Sequence, residues 1–128
     1  MINHVTVIGS GLMGAGIAAH LTNAGVNVLL LDIPDVSSKN RNNFADQAVK
    51  KLPKIKPSPL TLARNTNLIE TGNIDDHLHL IKNSDWVIEV IIEDLNIKKS
   101  LYEKIEDLMK DDLICLLYTS DAADDLYR

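Results

Sequence analysis

The chain has 128 residues, with 13 Lys and Arg against 18 Asp and Glu and a formal net charge of −5. That is the length of one domain, and 45% hydrophobic with 24% charged residues is ordinary globular composition, which argues against a disordered body. No Lys/Arg cluster supplies the basic patch of a nucleic-acid binder, no apolar run approaches the ~20 residues of a membrane span, and no basic leader with a cleavage site opens the chain.

His4-Val5-Thr6-Val7-Ile8 is β-branched and runs into glycine, which predicts a strand. Gly11 to Ala24 carries Leu12, Met13, Ile17, Ala18, Leu21 and Ala24 at helical spacing, and Gly25 stops that helix. Asn27 to Asp32 is a second strand, apolar on both faces. Asn42 to Leu52 reads as an amphipathic helix with Phe44, Ala48 and Leu52 on one stripe. Pro53 to Pro59 is a connector, and Leu60 to Arg64 a single helical turn. Leu68-Ile69-Glu70 is a third strand bounded by Thr71-Gly72-Asn73, and Asp75 to Ile81 is a short helix. Trp86 to Ile92 is a fourth strand, with Trp86 expected in the core. Asp94 caps a helix that turns Leu95, Ile97, Leu101, Ile105 and Leu108 inward. Leu113 to Leu117 is apolar enough to be a fifth strand. Apolar strands alternating with helices predict an α/β fold, a doubly wound parallel sheet of about five strands covered on both faces.

Gly9-Ser10-Gly11-Leu12-Met13-Gly14 is a G-x-G-x-x-G placed between a strand and a helix, the context in which that pattern cradles a dinucleotide. Gly9 makes the tight turn, Gly11 lets the backbone approach a pyrophosphate, and Gly14 lets helix and strand pack closely. Asp32 ends the second strand 18 residues after Gly14, where a carboxylate can accept hydrogen bonds from a ribose 2′-hydroxyl. It would repel a 2′-phosphate, and Ile33 rather than arginine follows, so NAD is favoured over NADP. The plain alternative for Asp32 is a strand-end cap.

Asp75, Asp76, His77 and His79 have the composition of a metal cluster, but on a helix His77 and His79 would point apart, and no metal site is expected. Glu89 lies inside an apolar strand, where burial without a partner is costly, and Glu93 follows at the strand end that binds ligands. A structural or helix-capping role for Glu93 stays open on these grounds. By charge alone Lys98 reads as a solvated lysine, although it is poorly placed for the dipole of its helix. The lone Cys115 cannot close an internal disulfide, which fits a reducing, cytoplasmic compartment.

The run from His4 to Ala18 resembles the opening of 3-hydroxyacyl-CoA dehydrogenases. Asp85-Trp86-Val87-Ile88-Glu89-Val90-Ile91-Ile92-Glu93-Asp94-Leu95-Asn96-Ile97-Lys98 is similar to their D-x-V-x-E-A-x-x-E-x-x-x-x-K landmark, with Val90 in place of the usual alanine. Lys56 to Thr61 and Thr71-Gly72-Asn73 resemble the long bacterial fatty-acid β-oxidation proteins, in which this dehydrogenase is fused to an enoyl-CoA hydratase-like region. The resemblance covers residues 2–114. It implies a Rossmann domain whose helical C-terminal partner lies outside these residues, and an NAD-dependent oxidation of a 3-hydroxyacyl-CoA to the 3-ketoacyl-CoA. It implies that Gly9, Ser10, Gly11, Leu12, Met13 and Gly14 hold the pyrophosphate and Asp32 the adenosine ribose. It also implies that Glu93 and Lys98 line the nicotinamide side. An acyl-CoA substrate and self-association would belong to the longer parent.

Family catalysis uses a histidine base in an H-x-F-x-P-type segment with a partner glutamate. None of His4, His20, His77 and His79 opens such a segment, so no catalytic residue is expected and the isolated chain is expected to be inactive. Residues 1–114 are read as the truncated cofactor domain. Residues 115–128 look like a translated sequencing adaptor, a non-native tail expected to fray after Ser120. In the competing reading Thr119-Ser120 falls in register with the family's Thr-Ser, which would make Ser120 a cofactor contact. The same fold also serves 3-hydroxyisobutyrate and 6-phosphogluconate dehydrogenases and non-enzymatic NAD-binding modules.

Overall fold

The structure, a computed structural model, describes residues 2–91, 95–108 and 114–117. Among them five strands form: β1 (His4–Ile8), β2 (Asn27–Asp32), β3 (Ile69–Asn73), β4 (Trp86–Glu89) and β5 (Ile114–Leu117). All pair in parallel, in the order β3-β2-β1-β4-β5. Three α-helices accompany them: α1 (Leu12–Asn23), α2 (Asn43–Lys51) and α3 (Leu95–Leu108). The chain winds outward from β1 to β3, then returns to the other side of β1 for β4 and β5. The crevice beyond the carboxyl ends of β1 and β4 is therefore the point at which the winding reverses, where open sheets of this kind bind ligands.

Strand alternation sorts the apolar residues into two cores. Val5, Val7, Val28 and Leu30 face α1 and α2, packing on Ala15, Ala18, Ala19 and Ala45. Ile8, Leu31 and Val87 face the opposite layer, packing on Leu101 and Ile105 of α3 and on Leu78 and Ile81. Trp86 packs half-buried against the first core. Among the described residues no helix is long and apolar enough to cross a membrane.

Several sequence expectations shift. The buried stripe of α1 is Gly14, Ala15, Ala18, Ala19 and Thr22, whereas Leu12 is 83% and Met13 52% exposed. The helix sits so close to β1 that only small side chains fit beneath it. Phe44 is likewise exposed, and Ala45 and Leu52 take the buried side of the α2 segment. The helical turn expected at Leu60 to Arg64 lies later, as a 3₁₀ segment at Ala63–Leu68. β4 stops at Glu89 rather than Ile92.

The expected helix from Asp75 to Ile81 is instead a turn followed by a 3₁₀ segment, Leu78–Asn83. Asn73 stands at the head of that turn. Its side-chain oxygen accepts from the backbone N–H of Asp75 (3.0 Å) and Asp76 (2.8 Å), and its own N–H donates to His77 Nδ1 at 3.0 Å. An asparagine that satisfies the amides two and three residues on makes an Asx turn, the arrangement that also heads helices. Asn73 Nδ2 also donates to Asn42 Oδ1 at 2.7 Å and Asp76 Oδ2 at 3.0 Å, so one buried amide pins the segment after β2 to the end of β3. Asn73→Ala is expected to cost about 1–3 kcal/mol in chemical unfolding, the size expected for stranded buried hydrogen-bonding groups.

Candidate functional site

Gly9 follows β1 at a φ of +115°, a conformation that L side chains rarely adopt, and a Cβ there would lie 3.0 Å from the Val90 carbonyl carbon. Its N–H donates to Leu31 O at 2.7 Å, while the Val90 N–H donates to Ile8 O at 2.8 Å. The loop is thus tied to both strands that flank β1. A Cβ on Gly14 would fall 1.8 Å from the Gly9 carbonyl oxygen, which fixes how closely α1 lies on β1. Gly11 differs: a Cβ there would meet nothing within 4 Å. It is the N-cap of α1, no side chain caps the helix, and no acidic residue occupies the first turn. The first-turn amides have no intrahelical acceptors and carry the positive end of the helix dipole, an arrangement suited to an anion.

Asp32 stands beside this loop. Its Oδ2 accepts from the Ser10 backbone N–H at 2.8 Å and from the Ser10 hydroxyl, and its Oδ1 accepts from the Ile33 N–H at 2.7 Å. Next to it a cleft of about 410 Å³ opens between the ends of β2 and β3 and α3, lined by Ile33, Pro34, Ile74, Asp75, Asn96 and Lys104 among others. The carboxylate therefore sits between the anion-ready amides and a cleft large enough for a flat heterocycle.

Glu89 and Lys98 behave unlike ordinary surface charges. Glu89 is 0% exposed and Lys98 is 1% exposed, which overturns the solvated reading of that lysine. Among the described residues neither Glu89 carboxylate oxygen nor Lys98 Nζ has a hydrogen-bond partner. Burial pushes the Glu89 carboxyl up to about 7, against the pull of the Lys98 charge and the Ile91 backbone amide toward ionisation. Glu93, Asp94 and Ser120 lie outside the described residues, as does the tail from residue 118.

Gly9, Asp32, Asn73 and Glu89 all collect at the carboxyl edge of the sheet because every strand is parallel. His77 serves as the acceptor for the Asn73 amide. Three features of this edge escape the sequence reading. One is the burial of Asn73, for which an Asn two residues before paired aspartates is a usable signal. A second is the packing of Val90 on both Gly9 and Gly14. The third is the hydroxyl bond from Ser10 to Asp32, which only the folded loop brings about.

Comparison with known proteins places this geometry among relatives. The family described as "3-hydroxyacyl-CoA dehydrogenase, NAD binding domain" matches residues 4–123. A protein of Bacillus subtilis (strain 168) described as a probable 3-hydroxyacyl-CoA dehydrogenase is 43% identical, over 85% of this chain and 16% of its own length. A protein of Rickettsia prowazekii (strain Madrid E), provisionally described as a fatty acid oxidation complex trifunctional enzyme, is 46% identical, over 93% of this chain and 16% of its own length. The crystal structure of (S)-3-hydroxybutyryl-CoA dehydrogenase from Ralstonia eutropha superposes with a TM-score of 0.67 at 26% identity, covering 91% of this chain and 41% of that one. The chain therefore spans about a sixth of the length of these two sequence relatives.

Proposed function

The chain belongs to the family of 3-hydroxyacyl-CoA dehydrogenase NAD-binding domains, and from that premise we propose that it is the cofactor-holding part of a longer enzyme that oxidises 3-hydroxyacyl-CoA to 3-ketoacyl-CoA in fatty-acid β-oxidation. NAD is the cofactor of this domain. When bound it supplies the hydride acceptor. The chain's own residues bind and orient it. The amides from Gly9 to Gly14 receive the pyrophosphate, with Ser10, Leu12 and Met13 flanking it. Asp32 accepts from the adenosine ribose, and the cleft beside Ile33 and Pro34 takes the adenine. Lys98 and Glu93 face the nicotinamide side, and Ser120 joins them if its segment follows the family course. No proton-transfer role is assigned to the four histidines of this chain. The acyl-CoA belongs to the longer enzyme, and the lone cysteine suits a cytoplasmic setting.

The observation that carries this reading is a half-buried carboxylate at the sheet edge, Asp32, fastened to a glycine loop that has open space at Gly11. The test is titration of the chain with NAD and NADP by calorimetry. NAD should bind and NADP should bind far more weakly. Asp32→Ala should weaken NAD roughly 10- to 100-fold, the size of lost hydrogen bonds to a charged acceptor. A chain that binds neither nucleotide, or whose affinity ignores Asp32, would refute the assignment.

A further inference from the structure

α3 faces the sheet through Leu101 and Ile105, and one turn earlier the same buried stripe holds Lys98. A leucine would be the neutral choice there. A lysine loses its hydration and stands near the positive end of the helix dipole, so its position is unfavourable on two counts. Across from it, β4 directs Glu89 to the face on which Val87 packs, alongside Ile8 of β1. A helix and a strand have thus each sent an opposite charge inward at the ligand-binding edge. Yet the two do not close on each other: the ion pairs among the described residues join Arg41 to Asp75 and Asp76. Among the described residues Lys98 Nζ has no hydrogen-bond partner, and the groups that bear on the Glu89 carboxylate are the Lys98 charge and the Ile91 backbone amide. Buried groups in that state are costly unless something else completes them.

We propose that Glu89 is a positioning residue for the cofactor site: its carboxylate keeps the Lys98 ammonium drawn in at the start of α3, with donors free for the ligand, where the long side chain would otherwise swing out to water. The inference rests on the NAD reading above and goes beyond it, since Glu89 itself need not touch the cofactor. Among the described residues Lys98 is the charged group that bears on Glu89, while β1 brings apolar Ile8 beside it. Because the carboxyl is pushed up to about 7, the hold on Lys98 weakens as the pH falls through neutrality.

The experiment is calorimetric NAD titration of the whole chain at pH 6 and pH 8, for the wild type, Glu89→Gln, Glu89→Asp, Lys98→Met and the double variant Glu89→Gln/Lys98→Met. Circular dichroism verifies that each is folded. At pH 8, Glu89→Gln should raise the Kd roughly tenfold, and the wild type at pH 6 should approach that value. Glu89→Gln should lose the dependence on pH, and Glu89→Asp should recover part of the affinity. In the Lys98→Met background, Glu89→Gln should add nothing. A wild-type chain that binds NAD while Glu89→Gln keeps its affinity and pH slope overturns the inference alone, as does an equal penalty with and without Lys98. A wild-type chain that binds no NAD at either pH overturns the cofactor reading and this inference with it.

Discussion

Gly14→Ala is expected to destabilise the fold by about 3 kcal/mol or more and to abolish NAD binding. The added methyl carbon would lie 1.8 Å from the Gly9 carbonyl oxygen and 2.8 Å from its carbon. Both obstacles are backbone atoms, so no rotamer change relieves them. Gly9 cannot yield freely either: its N–H is bonded to Leu31 O, and it abuts Val90. Moving it drags on β2 and β4 together, and α1 must lift from the sheet. Gly11→Ala is the informative contrast. Its methyl enters open space, so the fold should lose at most about 1 kcal/mol, the scale of an altered N-cap. NAD affinity should still fall, because that space is where the pyrophosphate is proposed to lie. Urea unfolding and NAD titration of the two variants separate the effects. A Gly14→Ala chain that unfolds like the wild type would refute the packing argument.

Thermal stability is expected to decline as the pH rises from 5 to 8, and Glu89→Gln should remove the decline. The Glu89 carboxyl moves from the usual 4.5 to about 7 in the fold. The folded chain therefore retains a proton that the unfolded chain releases. The associated stability is complete below about pH 4.5, falls through the interval, and is gone above about pH 7. Its ceiling is about 3 kcal/mol, or roughly 10 °C in Tm for a domain of this size. Asp35, Asp76 and Asp85 oppose it on the acid side. Hydrogen bonds from Ser37 and Asn43, from Asn73 and Arg41, and from the Asn3 and His4 amides hold their carboxyls below the usual 3.8. Their contribution is present above that value and fades as the pH falls further. Maximum stability should thus lie on the acid side of neutrality. Melting curves of the wild type and Glu89→Gln across pH 4 to 8 test this, and parallel curves for the two chains would refute it.

The opening unit was legible because each of its signals is local. A β-branched strand, three glycines at fixed spacing and an acid at the next strand's end are short-range features, and the register His4↔Asn27 to Ile8↔Leu31 follows from them. The buried face of α1 was not legible. Periodicity marks Leu12 and Met13 as inward, but the approach fixed by Gly14 admits only small residues and leaves Leu12 and Met13 outside. Residues 73–77 were misread for a related reason. Helix propensity is summed over a window, whereas the turn here is held by particular contacts of Asn73 and His77. Lys98 shows the limit most plainly. Its charge argued for water while its spacing before Leu101 and Ile105 argued for the core, and in the fold the burial of the stripe prevails.

The three hydrogen bonds already made by Asp32 bear on the kinetics of ligand capture. A carboxylate offers about four acceptor positions, so Asp32 has roughly one to spare, while a ribose diol arrives with two hydroxyls. One hydroxyl can dock without disturbing anything. The other has to share with, or displace, the Ser10 hydroxyl, a rotation about a single side-chain bond on the picosecond-to-nanosecond scale. Nothing larger need be rearranged, since the same bonds keep the glycine loop and the end of β2 in one arrangement before the nucleotide arrives. Association should accordingly proceed in a single rapid phase, with differences among ligands appearing in how long each one stays.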